Sequence, residues 1–306
     1  MSERRIFRAL LRLATRPFIT APASTPPSHT VAIVVPLSAR DTLLPEEEVS
    51  LRQLSHFLGR YDKYLIAPRG STITRDGFHT IGLDGKFFGS AAAHNKLVRR
   101  PEFYRLFQRY RYILVYHLDS LVLSDDLTRW CDAGWDFIGA PWLPCPDTPW
   151  VTEPRVGNGG FALMKIESVL QVLDTRYREE PVSYWSDLLL ANADRVRWLF
   201  RVLARLQRVC PRVRLIDRLV REWRISENPG AYGDNNDFFW SYHASRFVPT
   251  FKVAPVDEGL RFAFEAAPRL CFELNHHRLP FGCHAWTKFD REFWRPYLVQ
   301  ADESAA

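Results

Sequence analysis

The stretch Tyr112-Ile-Leu-Val-Tyr-His-Leu-Asp119-Ser120-Leu121 decides the fold. It is an apolar run rich in β-branched and aromatic residues that ends on a single carboxylate. Such a run predicts a buried strand that delivers one charge to its mouth. Further along lies Gly157-Asn158-Gly159-Gly160-Phe161, a glycine-rich stretch with an amide inside it, where backbone can approach a ligand closely. In open α/β sheets, ligands sit outside the carboxyl ends of the strands.

Outward from this strand the same rhythm recurs. Val31-Ala-Ile-Val-Val-Pro36 and Tyr64-Leu-Ile-Ala-Pro68 read as short buried strands. Glu46–Leu58 reads as a helix with Val49, Leu51, Leu54 and Leu58 on its apolar side, and a second helix is expected around Phe103–Tyr110. Asp136-Phe-Ile-Gly-Ala-Pro141 and Gly160-Phe-Ala-Leu-Met-Lys165 continue the strand pattern, whereas Gly82–Phe88 is too glycine-broken to assign. Alternating strands and helices predict an α/β fold: a doubly wound, mostly parallel (mixed) sheet with helices on both faces. From about 173 to 228 the rhythm breaks into long helical patterns carrying ten arginines from Arg195 to Arg224, which reads as a helical insertion with a basic face. That face is either a solvated surface or a means of holding a polyanionic or lipid-linked acceptor. The expected organisation is an N-terminal segment over 1–29, one domain over 30–300 and a short tail over 301–306.

Composition narrows the class. The chain has 306 residues, 46% hydrophobic and 14% aromatic, enough for a sizeable core. A net charge of +6 and a pI near 9.1 suit an anionic partner such as a nucleotide diphosphate or a phospholipid surface. No zinc-finger or RNP-like motif supports nucleic acid. The five cysteines form no CxxC pair, which fits structural thiols in a reducing, cytoplasmic setting. In the N-terminal segment, Arg4, Arg8, Arg12 and Arg16 recur every four residues beside Ile6, Phe7, Leu10, Leu11 and Leu13. This basic amphipathic pattern suits peripheral contact with an anionic membrane, a transit-like peptide or a surface helix. Residues 19–30 read as a linker.

The candidate chemistry starts at Asp119. A carboxylate just after an apolar strand is costly unless it is ionised at the surface, paired or bound to a cation. Mg²⁺ and Mn²⁺ commonly share one or two carboxylates with substrate phosphates; the alternative is a turn residue. Paired with the glycine loop, Asp119 suggests a metal-diphosphate site and hence a sugar-nucleotide enzyme. No Gly-x-Ser-x-Gly elbow, Walker A loop or Gly-x-Gly-x-x-Gly fingerprint is present, which lowers hydrolysis, phosphotransfer and hydride transfer.

Tyr116-His-Leu-Asp119-Ser-Leu, Trp135-Asp-Phe-Ile-Gly-Ala-Pro-Trp142, Gly157-Asn-Gly-Gly-Phe-Ala-Leu163, Asp234-Asn-Asn-Asp237-Phe-Phe-Trp240 and Pro280-Phe-Gly-Cys-His284-Ala-Trp286 occur in that order. Together they resemble glycosyltransferases of the GT-A type, and in particular a largely uncharacterised family of bacterial and fungal glycosyltransferase-like domains, over roughly residues 30–297. The resemblance implies a nucleotide-sugar-dependent glycosyltransferase, metal-assisted and inverting, acting in polysaccharide or glycoconjugate synthesis. The alternative is a degenerate relative that binds sugar nucleotide or glycan without turnover. In the resemblance Asp119 matches the first acid of an Asp-x-Asp motif, but Leu121 stands where the second would be. His284 is then the candidate second ligand for Mn²⁺ or Mg²⁺, and an imidazole favours Mn²⁺. Asp237 matches the general base, with Asp234 as a competitor and Asn236 as a hydrogen-bond partner for a sugar hydroxyl. Ser120 and the loop residues Gly157, Asn158, Gly159 and Gly160 are expected around the donor. Asn95 and Lys96 are expected at its ribose or phosphate, and Trp142 and Trp240 are expected to stack on sugar rings. The implied partners are a nucleotide-diphosphate sugar donor and a glycan or lipid-linked acceptor.

Overall fold

The computed structural model describes residues 29–227 and 235–300. The basic N-terminal pattern and Asp234 therefore lie outside the described residues. Among the described residues there are eleven strands: β1 (His29–Pro36), β2 (Asp62–Pro68), β3 (Phe78–Leu83), β4 (Tyr110–Tyr116), β5 (Leu121–Val122), β6 (Phe137–Gly139), β7 (Pro141–Trp142), β8 (Arg155–Val156), β9 (Phe161–Lys165), β10 (Ala263–Phe264) and β11 (Gly282–Cys283). Six of them form the main sheet in the order β3-β2-β1-β4-β9-β6. The first four are parallel, and β9 runs antiparallel to both β4 and β6. The expected mixed α/β sheet is thus present. Gly82–Phe88, unassigned from sequence, divides between the end of β3 and the short 3₁₀ turn Gly85–Phe87.

Because successive side chains on a strand point to opposite faces, each central strand feeds two cores. Val31, Ile33 and Val35 of β1 join Leu65, Tyr112 and Leu114 on one face, under Leu51, Leu54 and Leu58 of the helix Pro45–Leu58. Ala32 and Val34 join Ile66, Ile113 and Val115 on the other, under the helices Ala91–Val98 and Ile166–Glu179. Each fully buried aliphatic side chain of this kind contributes about 1.5–3 kcal/mol of transfer free energy, which is why continuous apolar runs, rather than alternating ones, mark these strands. The helical segment is also present, as Ile166–Glu179, Pro181–Leu190, Ala193–Val209 and Arg214–Glu227.

Two features of topology create the site. The chain winds from β1 out to β3, then returns across the sheet to pair β4 with the other side of β1. The carboxyl ends of β1 and β4 therefore flank the point where strand order reverses, the position where a crevice opens in such sheets. The second feature is a small sheet, β10-β11-β5, in which β11 is parallel to β10 and antiparallel to β5. It pairs Cys283 with both Leu121 and Phe264. Residues adjoining these three positions, Ser120, His284 and Glu265, are brought together from distant parts of the chain.

Candidate active site

A cavity of about 1220 Å³ opens at the ends of β1 and β4. Pro36 to Arg40 form one wall, Phe87 to Asn95 another, and His117, Leu118 and Asp119 the floor, with Trp150, Asn235, Asp237 and Phe238 opposite. Asp119 and Asp237, expected from sequence, both face it, and so does Asn95, whose side-chain oxygen accepts from the Asn236 N–H at 3.4 Å.

His117 and Asp119 on this floor, with His284 packed beside them, offer ligand atoms that all lie within 4.8 Å of one another. Asp119 and His284 were expected. His117 was not: it follows the last residue of β4 and opens a turn in which its carbonyl accepts from the Ser120 N–H at 2.9 Å, so its ring meets Asp119 through that turn. The second partner of Asp119 thus precedes it. Leu121, where a second acid was sought, begins β5 and is fully buried against Cys283 and Trp286.

His284 is held from both sides. Its Nε2 lies 3.2 Å from Asp119 Oδ1 and its Nδ1 lies 3.0 Å from Glu265 Oε1. Burial pulls the imidazole down, but the Asp119 and Glu265 carboxylates outweigh it and raise the ring to about 10. Burial likewise pushes the Asp119 carboxyl up, yet the adjacent His284 cation holds it well below the usual carboxylate range. His117 is pushed down to about 3 by burial and by the His94 and His284 rings. Burial lowers His94, whose Nε2 is 3.3 Å from His117 Nε2, to about 4. His117 is therefore a neutral ring with a lone pair to offer.

This donor set fits a divalent cation. Two imidazoles and a carboxylate suit ions that accept nitrogen as well as oxygen. Glu265 behind Nδ1 is the outer carboxylate that commonly orients a ligating histidine. Nothing in the sequence singles out Glu265; only the β10–β11 pairing reveals it.

The glycine loop does something other than expected. A Cβ at Gly157 would overlap the Trp142 ring, one at Gly159 the Asp237 carboxylate, and one at Gly160 the His284 imidazole. The glycines are thus needed to let these side chains come close, rather than to let backbone reach a ligand. Asn158 is buried and committed. Its Nδ2 donates to Glu265 Oε1 at 2.6 Å, and its Oδ1 accepts from the Gly160 N–H at 3.0 Å. Ser120 is buried as well, and its hydroxyl donates to the Gly160 carbonyl at 3.2 Å, beside the His117 N–H at 2.8 Å. These residues brace the site and do not line the cavity.

Further expectations are corrected by packing. Trp240 is fully buried, its Nε1 donating to Asn236 Oδ1 at 2.8 Å, so neither Trp240 nor buried Asn236 is presented to a sugar. Trp142 is buried beneath Trp150 and Phe238, with ring centroids 5.1 and 4.8 Å away. The tryptophan that lines the cavity is Trp150, 50% exposed. Lys96 is on the cavity-flanking helix but is not part of the lining.

Asp237 sits beside Gly159. Burial, and then the nearby Glu265, push its carboxyl up to about 7, against the opposing effects of His284 and the Gly159 N–H. A carboxyl group poised there can exchange a proton near neutral pH.

The chain belongs to the family described as "Protein of unknown function (DUF5672)", whose model matches residues 77–284, more than half of the chain. That span holds His94, His117, Asp119, Asp237 and Glu265 and ends on His284. No curated protein matches the chain. Among solved structures it is similar to the apo-form glycosyltransferase GlyE of Streptococcus pneumoniae TIGR4, at 12% identity and a TM-score of 0.42, with 89% of this chain and 61% of that one covered. It thus spans less than two thirds of the GlyE chain. It is also similar to the galactosyltransferase LgtC in complex with donor and acceptor sugar analogs, at 12% identity and a TM-score of 0.42, with 89% and 98% covered.

Proposed function

Taking membership of this uncharacterised family as the premise, we propose that the protein is a metal-assisted glycosyltransferase that moves a sugar from a nucleotide-diphosphate donor to an acceptor hydroxyl. The observation that carries this reading is the juxtaposition of the His117–Asp119–His284 cluster with Asp237 at one cavity on the switch point of the sheet. Support comes also from the ordered motifs shared with GT-A enzymes and from a cavity large enough for a nucleotide sugar.

His117, Asp119 and His284 would hold the cation, Mn²⁺ in preference to Mg²⁺ because two of the three ligands are nitrogens. A bound cation supplies charge that offsets the negative charge building on the departing diphosphate. Asn158 and Glu265 fix the His284 ring, and the Ser120 hydroxyl fixes the Gly160 backbone against it. The walls at Pro36–Arg40 and Phe87–Asn95 would take the nucleotide. Trp150 offers an aromatic face to a sugar ring.

In the reaction, the acceptor oxygen forms a bond to the anomeric carbon. The bond from that carbon to the diphosphate oxygen breaks, and the nucleoside diphosphate leaves with the electron pair. Asp237 takes the acceptor proton, and attack from the face opposite the leaving group inverts the anomeric configuration. A donor panel screened by thermal shift with Mn²⁺ tests the reading, since a ligand that binds only the native state raises the melting temperature. Stabilisation by a nucleotide sugar that requires Mn²⁺ and is lost in Asp119→Asn supports it. No stabilisation by any nucleotide or nucleotide sugar refutes it, and binding without transfer to any acceptor would identify a degenerate binding protein.

A further inference from the structure

The helix Ala193–Val209 and the turn after it carry a surface that the proposed reaction does not use. Beyond a break at Val196, at about 100° per residue, Leu199, Phe200 and Leu203 fall on one side of this helix. Phe200 is fully buried there and stacks on Trp223 of the helix Arg214–Glu227, centroids 5.2 Å apart. Trp198, Val202, Leu206 and Val209 fall on an adjoining arc that the fold leaves uncovered. Trp198 is 56% exposed and Val209 79%, and the exposed Val213 and Leu215 extend the patch into the next helix. Isolated apolar residues on a surface are ordinary, but a helical stripe running through a turn is not.

The charges beside this stripe indicate what covers it. From Arg195 to Arg214 there are seven arginines and no acid. Arg201, Arg205 and Arg208 occupy the arc next to the exposed apolar residues and are themselves exposed. An apolar strip bearing a tryptophan, with a neighbouring arginine face and one nearby acid, Asp217, that accepts from Gln207, is the pattern of a helix that lies in a membrane interface. A second copy of the chain is disfavoured as occupant, because like charges would face each other along the whole strip. Among the described residues no helix is long and apolar enough to cross a membrane, so contact through this helix would be in the plane of the surface.

We propose that Trp198, Val202, Leu206 and Val209, flanked by their arginines, dock the protein on an anionic lipid surface. The helix starts beside the cavity rim: Lys86 Nζ donates to Asn192 Oδ1 at 3.3 Å, and Phe87 and Phe88, next in sequence, line the cavity.

The test is flotation of the full chain with vesicles of phosphatidylcholine alone or mixed with phosphatidylglycerol. The chain is expected to float with the anionic vesicles and not with the neutral ones, and less so as salt is raised. The triple variant W198S/V202S/V209S changes only exposed side chains, and an unchanged melting temperature and circular dichroism spectrum verify its fold. It should lose at least about tenfold in partitioning, as expected when interfacial apolar area is removed. Equal flotation of the variant and the parent overturns the proposal and assigns any binding to another segment, such as the arginine-rich stretch before residue 19. Failure of the parent to float overturns it too. If the parent instead self-associates in sedimentation and the variant does not, the face is a contact between copies. None of these readouts depends on transfer activity, so a failure here leaves the glycosyltransferase reading standing, and the converse also holds.

Discussion

Glu265→Gln isolates the outer layer of the site without changing its shape. Gln is isosteric and keeps an oxygen that can accept from Asn158 Nδ2, now 2.6 Å from Glu265 Oε1, and from His284 Nδ1, now 3.0 Å away. Only the negative charge is lost. Two consequences follow from the geometry. His284 is raised to about 10 by two carboxylates, Asp119 and then Glu265, so the variant should titrate lower in the metal-free protein. Removing a carboxylate behind a ligating imidazole also lowers that ligand's basicity, an effect that commonly costs about 10–100-fold in metal affinity, or roughly 1.4–2.7 kcal/mol. The assays are a calorimetric Mn²⁺ titration and an NMR titration of the His284 ring. A Mn²⁺ dissociation constant within about twofold of the parent would mean that Glu265 is not an outer ligand of a metal centre. An unmoved His284 titration would refute the electrostatic account separately.

Other perturbations test other parts of the site and fold. Because His284 is protonated up to about 10 without metal, cation binding must displace its proton. Mn²⁺ affinity should therefore rise with pH across the neutral range, by about tenfold per unit for one proton released, and calorimetry in buffers of different ionisation enthalpy should count that proton. Asp237→Asn should leave Mn²⁺-dependent donor binding intact while lowering transfer by about 10²–10⁴-fold. In the parent, transfer should rise with pH as Asp237 ionises near 7, and the variant should lack that limb in a pH–rate profile. Gly160→Ala would drive a Cβ into the His284 ring and should abolish Mn²⁺ binding, with Gly160→Ser no better. Away from the site, buried Arg176 is held by Asp187 at 2.7 Å, and Tyr177 OH donates to the same carboxylate at 2.8 Å. Asp187→Ala leaves that guanidinium unpaired and should cost about 3–5 kcal/mol in denaturant unfolding, the usual cost of breaking a buried pair.

The fold was largely legible because its signals are local. The apolar runs at 31–36, 64–68 and 112–118 are buried on both faces of a sheet, and continuous hydrophobicity is the mark that double burial leaves on a strand. The antiparallel placement of β9 left no such mark, since the direction of a strand is set by the path of the chain between strands. Within the site, Asp119 was legible because a charge closing an apolar run needs an explanation. His117 was not legible in the same way, because it meets Asp119 through the turn that its carbonyl closes with the Ser120 N–H and not through strand periodicity.

What sequence alone determined is part of the set of chemical groups and the strand that leads to them: Asp119 just beyond β4, and Asp237 and His284 as members of ordered motifs. What only tertiary structure decided is which groups face one another. Pairing of Cys283 with Leu121 and Phe264 brings His284 and Glu265 to Asp119, although Asp119 and His284 are far apart in the chain. The same packing turned the glycine loop from an expected ligand cradle into clearance for Trp142, Asp237 and His284. It also made Asn158 and Ser120 internal braces, and presented Trp150 in place of Trp142 and Trp240. Residue type and local periodicity specify what a side chain can do and which face of its own element it occupies. Register between distant strands, which no local pattern encodes, specifies what it meets there.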